Sequence, residues 1–238
     1  MPHALEIFSS SIVAVGAFNP AIFSPDWLEG RGLIGVEDAE AARTNKSLII
    51  SSQVATVQTN WFALQVLDTQ FSLTSQGALS PVFRDLAVGI MTLLPQTPVS
   101  AVGLNFMGHY KMASRVDYDK VGDRLVPKGI WKEIFSDEDE HVGVQNLTVS
   151  VQKVKREADG GVTALSNNRK NISIEPSGKL KLGLFLSCND HREIDRSKLE
   201  DQTAAERVSE ILESEWQASW DASLTLFDEL LTKLIAGA

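Results

Sequence analysis

We predict an α+β protein with an antiparallel sheet, helices on one face of that sheet and a long C-terminal helix. Three observations support this prediction. Short runs rich in β-branched residues are separated by turn residues in both halves of the chain, which is typical of antiparallel strands. Ser24-Pro25 and Ser80-Pro81 each join a capping hydroxyl to a proline suited to the first helical turn. An apolar stripe at helical spacing continues over residues 202–235.

The first half is predicted to run as strand, helix, strands and helix. Residues 5–16 are rich in β-branched and small apolar side chains and indicate the first strand. The helix that begins at Ser24 carries Trp27 and is predicted to be short, because Gly30 follows. Three strands and a second helix come next, at 47–58, 61–67, 70–74 and from Ser80 until Pro95 stops the helix.

The second half repeats this order. It is predicted to contain a strand, helical segments, three strands and the C-terminal helix, at 99–110, 119–124, 128–135, 144–156, 162–174, 179–188 and 202–235. Turn sequences at 159–161 and 176–178 separate the three strands. Because the two halves share their element order, we predict a single domain at 1–238 in which 1–96 and 97–238 form a pseudo-repeat.

Three segments resemble a known group of proteins. They are the strand sequence Thr59-Asn60-Trp61, the strand at 98–105, and the tail at 216–231 that follows a leucine-rich strand. In their order they resemble a sporadically distributed, functionally uncharacterised prokaryotic protein family, over about half of the chain. The resemblance implies an accessory gene, such as a component of a defence or mobile-element system, and brings no catalytic residues with it. The element order also resembles the duplicated saddle of the TATA-binding protein, a likeness of fold alone.

The composition argues against several classes of protein. A net charge of −9 argues against a general polyanion binder, which needs a basic surface. The one cysteine, Cys188, leaves no internal disulfide and no cysteine-based zinc site. The longest apolar-rich stretch, 86–94, is too short to span a bilayer, and the N-terminus lacks the basic segment of a signal peptide. We therefore predict a cytoplasmic protein without a membrane segment and without a cofactor.

One cluster has the composition of a nucleophilic site. Cys188, Asp190 and His191 place a thiol, a carboxylate and an imidazole within four residues at the end of a strand. The strand alternation opposes this interpretation, because every second position from Leu180 to Leu186 is leucine and the same face then holds Cys188. We therefore expect a buried, unreactive thiol, with His191 in the following loop.

The best candidate for a small-molecule pocket is formed by Asn105, His109 and Lys111. Asn105 and His109 lie in phase on one predicted strand, and Lys111 follows. The alternative is that these are polar residues at a strand end that meet solvent. The acidic run at 136–141 lacks the spacing of a calcium-binding loop, and the common nucleotide-binding and acyl-transfer motifs are missing from the sequence. No metal site is predicted.

A locally basic set of residues lies in the second half. Its seven members stand against three acids, a local charge of +4 in a chain of −9. This set predicts either a docking face for an acidic protein or nucleic acid, or a solvated face whose charges prevent edge-to-edge pairing. Few aromatic residues are interspersed, which disfavours nucleic acid without excluding it. The seven residues are Lys153, Lys155, Arg156, Arg169, Lys170, Lys179 and Lys181.

The predicted C-terminal helix is longer than the expected body of the protein. At 1.5 Å per residue, 202–235 would span about 50 Å, whereas a compact chain of this length has a diameter of roughly 45 Å. We therefore expect the far end of the helix to contact another chain. The residues predicted to do so are Trp220, Phe227, Leu231 and Leu234.

Together these observations favour a non-catalytic interaction, adaptor or regulatory subunit of a bacterial complex, whose partner is another protein or a second copy of the chain. One alternative is a small-molecule-binding or hydrolytic protein with a pocket near Asn105 and His109. A second alternative is a nucleic-acid accessory protein that uses the basic residues of the second half.

Overall fold

The computed structural model describes residues 3–76, 80–135, 142–156 and 161–236. Within these ranges, nine strands form one antiparallel sheet in the order β2-β3-β4-β5-β1-β6-β9-β8-β7. The strands are β1 His3–Gly16, β2 Ile49–Ile50, β3 Val54–Gln58, β4 Phe62–Leu67, β5 Gln70–Ser75, β6 Val99–Met112, β7 Leu147–Arg156, β8 Val162–Pro176 and β9 Gly183–Glu193. This sheet, with the helices below, confirms the predicted α+β class.

Six α-helices accompany the sheet in the described ranges. They are α1 Pro25–Gly30, α2 Val36–Thr44, α3 Pro81–Leu93, α4 Arg115–Leu125, α5 Gly129–Ile134 and α6 Ala204–Ala236. The Ser24 hydroxyl caps α1 by accepting a hydrogen bond from the backbone N–H of Trp27 at 3.0 Å. Ser80 occupies the same position before α3 without a side-chain cap. α2 is not predicted from the sequence, because its amphipathic pattern is weak.

β1 and β6 pair with each other in the middle of the sheet, and each begins one half of the chain. From β1 the sheet continues through β5, β4 and β3, and from β6 it continues through β9, β8 and β7. α3 closes the first half and α6 closes the second, and these two helices pack together. The predicted element order therefore recurs in both halves, while their superposition stays a prediction.

The two faces of the sheet differ in what covers them. Ile12, Leu73 and Leu104 pair across three strands and are fully buried beneath the helices. The neighbouring positions Ser11, Thr74 and Asn105 point the other way, since side chains alternate along a strand. No open-side strand residue belongs to either hydrophobic core of the described chain. We call the two sides the covered face and the open face.

Two hydrophobic cores lie beneath the helices on the covered face. The first core includes Phe83 of α3, Phe106 of β6 and Trp216 of α6. The ring centroid of Trp216 lies 6.5 Å from that of Phe83 and 6.3 Å from that of Phe106. The second core contains Tyr110 of β6 and Phe227 of α6. Each fully buried large side chain contributes about 1.5–3 kcal/mol. With 33 residues, α6 is long enough to run over both cores.

A polar layer separates the two cores. Asp190 of β9 is buried, and its carboxylate lies 3.0 Å from Arg192 Nε and 3.5 Å from Lys170 Nζ. On the facing side, the small residues Ser219 and Ser223 bring α6 close to the sheet. The two bases offset the buried carboxylate, which would otherwise be expensive to remove from water.

The structure corrects several strand boundaries: the predicted strand at 47–58 is divided into β2 and β3, and the strand predicted from residue 144 begins at Leu147. β9 begins at Gly183, whereas the sequence predicted a strand from residue 179. Leu182 has a φ of 54°, a left-handed conformation that no strand residue adopts, so Leu180 and Leu182 lie in the turn before β9. From Leu184 onward the predicted alternation is present, with Leu186 and Cys188 buried on the covered face.

Candidate functional site

A row of polar side chains crosses the middle of the open face. Ser11 of β1, Asn105 of β6, Asn189 of β9 and Asn171 of β8 are consecutive cross-strand partners. Asn189 donates a hydrogen bond from its amide to Asn105 Oδ1, and Asn105 donates one to the Ser11 carbonyl at 3.3 Å. Hydrogen bonds along the row hold the two central amides in fixed orientations, which makes this part of the surface rigid.

Charged side chains are missing from much of the open face. Within the described chain, the outward positions of β3, β4 and β5, and of β1 from Ile7 to Val15, carry none. The charges of the open face stand nearer its second-half margin, at Lys111, Arg169, Glu175 and Glu193. The uncharged positions are Val54, Thr56, Gln58, Ala63, Gln65, Leu67, Gln70, Ser72, Thr74, Ile7, Ser9, Ser11, Val13 and Val15.

Apolar side chains are interspersed with the hydroxyl and amide groups of this face. Ile7 and Val13 flank the serines of β1, and Val15 beyond them is 44% exposed. Met107 of β6 and Phe185 of β9 continue the apolar component into the second half. Over these positions the open face is therefore neutral, partly apolar and rich in short polar side chains.

The structure places Asn105, His109 and Lys111 on the open face of β6, as their spacing predicts. His109 Nδ1 lies 2.8 Å from the Ser177 hydroxyl, and its ring packs against Phe185 at a tilt of 43°, with centroids 4.7 Å apart. Partial burial, and then the charge of Lys179, lowers the pKa of His109. The three residues thus lie in a row along one strand. Asn105 already bonds to its strand neighbours, and His109 already contacts Ser177.

A cavity of the second half lies elsewhere. It has a volume of about 710 Å³ and opens between α5 and residues 142–146. Trp131, Phe135 and Val144 form its apolar part, and Lys128 lies at its margin, 2.6 Å from Asp123. Among the described residues that line this cavity, none is a histidine, cysteine or acid.

The cluster Cys188, Asp190 and His191 is divided between the two faces of the sheet. Cys188 and Asp190 point into the covered face, whereas His191 points to the open face beside Arg169. Burial raises the pKa of the Cys188 thiol, although a hydrogen bond with Ser223 partly opposes this effect. The expected burial of Cys188 is confirmed, and His191 is a strand residue rather than a loop residue.

The predicted basic set does not form one surface. Lys170 points into the covered face, where its ammonium neighbours Asp190, while Arg169 projects from the open face. Lys179 and Lys181 lie in the turn between β8 and β9. The remaining three residues, Lys153, Lys155 and Arg156, are exposed on the edge strand β7. The basic residues are thus distributed over two faces, a turn and an edge.

The four predicted partner-binding residues of α6 differ in how far they are buried. Phe227 and Leu231 are fully buried in the second core, so the chain itself covers them and leaves no side-chain surface for a partner. Trp220 is half-buried against Phe8, with ring centroids 4.6 Å apart. Leu234 is likewise half-buried beside the second core. The expectation that the end of α6 projects toward another chain is not met for the two central residues.

Two features are absent from the described residues. No three His, Cys, Asp or Glu side chains of the described ranges stand close enough to hold a metal ion. In the same ranges, no helix is both long and apolar enough to cross a membrane. The acidic run at 136–141 lies outside the described residues.

Comparison with known protein families gives no match, and comparison with curated proteins gives none either. The open face is not among the features predicted from the sequence. Its signal was present in the alternating short polar residues Ser9, Ser11, Ser72 and Thr74, but their common face depends on which strands are neighbours.

Proposed function

We propose that this chain is a non-catalytic interaction protein, an adaptor or regulatory subunit, that binds another protein chain through the open face of its sheet. The observation that carries the proposal is the lack of charged side chains at the fourteen outward positions of β3, β4, β5 and β1 described above. Protein interfaces are depleted of charged residues at their centres, with polar and charged groups at the rim.

The composition of the chain makes this distribution informative. Charged residues form 22% of the sequence, so fourteen positions of average composition would contain about three. Sheet faces that remain in water normally carry more charge than the average, since charged side chains there maintain solubility and oppose edge association. A neutral, partly apolar face of this width is typical of a surface that another molecule covers.

The two alternative functions have less support. A pocket near Asn105 and His109 would need free polar groups that converge on a ligand, whereas Asn105 bonds to its strand neighbours and His109 to Ser177. A nucleic-acid site would need a continuous basic surface, whereas the basic residues are dispersed. The accessory role in a bacterial defence or mobile-element system, which the resemblance implies, is part of the proposal.

A site-specific cross-linking experiment tests this proposal. A photo-reactive amino acid is placed at position 11, in the middle of the open face, and in parallel at position 222 on the exposed side of α6. After irradiation in cells, we expect protein adducts from position 11 and none of comparable yield from position 222. Adducts with nucleic acid at position 11, or equal yields from both positions, would contradict the proposal.

A further inference from the structure

We infer that the partner of the open face is a second copy of this chain, so that two sheets pack face to face in a symmetric dimer. This inference rests on the proposed function and adds the identity of the partner. It is carried by the distribution of charge, by the width of the neutral face and by the position of that face in the sheet.

Electrostatics favour the open face over the helical side for self-association. The chain has a net charge of −9, and residues 200–238 contain nine acids against two bases. Most of these acids lie on the exposed side of α6, away from the sheet. Two copies that met through α6 would therefore bring like charges together, which opposes association. Two open faces can meet without that repulsion, because their central positions are neutral.

The area of the open face suits a stable dimer. Neighbouring strands lie about 4.8 Å apart, so the seven strands from β3 to β8 in sheet order span about 29 Å. These strands average about 10 residues, or about 33 Å, so the face covers roughly 950 Å². A standard protein interface buries about 800 Å² from each partner. The neutral face and its charged margin together therefore provide the area that such an interface needs.

The central strand determines which residues would meet in such a dimer. β1 is the fifth of nine strands, and Ser11 lies near the middle of its paired length. In a symmetric interface, residues at the centre lie against their own copies across the two-fold axis. Ser11 is thus the position at which a new charge would meet the same charge in the second copy. Sheets packed in this way lie about 10 Å apart.

A different contact between copies would have a different signature. The basic edge residues Lys153 and Arg156 of one copy could meet the acidic side of α6 in the next, in a head-to-tail arrangement. Such a contact between opposite charges weakens in salt, because the screening length falls to about 4 Å at about 0.5 M. A dimer held by the neutral open face should persist at that salt concentration, since apolar burial and short polar contacts carry it.

Light scattering on the purified protein gives the first readout. We expect a mass of twice the chain mass of 26.0 kDa at micromolar concentration, unchanged at about 0.5 M salt. A monomer at about 100 μM, or assembly that dissolves in salt, overturns the inference. If position 11 nonetheless cross-links to a different protein, only the identity of the partner fails and the proposed function stands.

Paired charge variants give the second readout. Ser11→Lys and Ser11→Asp should each weaken the dimer by roughly 100-fold or more, since each meets its own charge at the centre. An equimolar mixture of the two should form dimers again, because an ammonium then meets a carboxylate. Ala222→Lys adds the same charge to exposed α6 and should leave the dimer unchanged. Dimers of Ser11→Lys as stable as the wild type would overturn the inference.

A second open-face variant guards against a folding defect at position 11. Ser187→Lys projects from β9 on the same face, and circular dichroism verifies that each variant is folded. We expect Ser187→Lys to weaken the dimer while its spectrum matches that of the wild type. If neither variant weakens the dimer, the interface lies elsewhere on the molecule.

Discussion

The Ser219 hydroxyl of α6 donates a hydrogen bond to the buried carboxylate of Asp190, at 3.1 Å across the interface between helix and sheet. Asp190 also neighbours Arg192, whose guanidinium continues to Glu215 of α6 at 3.0 Å. One carboxylate on β9 thus connects the sheet to two positions on the helix. This connection lies between the two hydrophobic cores and fixes how α6 is aligned along the sheet.

Removal of that carboxylate should destabilise the fold strongly. Asp190→Ala leaves Arg192 and Lys170 without their shared partner; because both bases are partly exposed, the loss should be about 1.5–3 kcal/mol, the range for hydrogen bonds to charged groups. Ser219→Ala removes a single hydrogen bond and should cost about 1 kcal/mol. Urea unfolding followed by circular dichroism measures both, and Asp221→Ala on the exposed side of α6 serves as control. Equal stability of Asp190→Ala and the control would refute this role.

Shortening the buried side chains near the end of α6 should destabilise the folded chain itself and not merely prevent assembly. Phe227→Ala should lower the free energy of unfolding by about 3–5 kcal/mol and Leu231→Ala by about 2–5 kcal/mol, because both side chains are fully buried. Glu229→Ala, between them but exposed, should change it by less than about 0.5 kcal/mol. A folded monomer of unchanged stability from Phe227→Ala would instead support the partner-binding role predicted from the sequence.

Ionisation of the Tyr110 phenol should lower the free energy of unfolding at alkaline pH. Burial, and then the charge of Asp228, raises the pKa of Tyr110 from 10.0 to about 12. The folded state therefore holds the phenol proton more tightly than the unfolded state does. Stability is fully present below pH 10.0 and is lost as pH rises from there to about 12, by about 2–3 kcal/mol.

The matched variant for this effect is Tyr110→Phe, which keeps the ring in the second core and removes the ionisable group. Thermal unfolding from pH 8 to pH 12 should show a smaller alkaline loss of stability in the variant than in the wild type. Identical slopes for the two proteins would show that Tyr110 does not titrate with the fold.

The Cys188 thiol should react slowly in the native state. It is buried beside Ser223 under α6, and burial raises its pKa, so little thiolate forms near neutral pH. A bulky disulfide reagent should label it only slowly without denaturant and stoichiometrically in denaturant. Rapid labelling of the folded protein, together with loss of partner binding in a stable Cys188→Ser variant, would revive the nucleophile hypothesis.

Local patterns in the sequence were sufficient for the fold class and for most element positions. The alternation at Leu184, Leu186 and Cys188 predicted their shared face correctly, because a strand fixes the direction of every second side chain. The same alternation failed at Leu180 and Leu182, where a turn interrupts the strand. A sequence pattern records only where leucine recurs. A turn in which leucine occupies alternate positions therefore gives the same pattern as a strand.

Two features of the candidate site depend on tertiary structure that local patterns do not contain. The apolar stripe of α6 identified Phe227 and Leu231 as residues that need a cover, but not that the chain itself supplies it. The open face can be recognised only when β1, β5 and β6 are known to be neighbours, and their pairing joins residues distant in sequence. A strand order of this kind is set by global packing, so the neutral face became visible only with the sheet assembled.

The central position of β1 has a consequence for how the protein is made. During synthesis, β1 can pair with β5 as soon as β5 has been translated, but its other edge must wait for β6. The apolar side of α3 must wait longer still, because α6 is translated only after β9. A nascent chain of intermediate length therefore carries an unpaired strand edge and an uncovered helix, both prone to aggregation. Chaperone demand should be greatest in that interval and should fall once α6 has been translated.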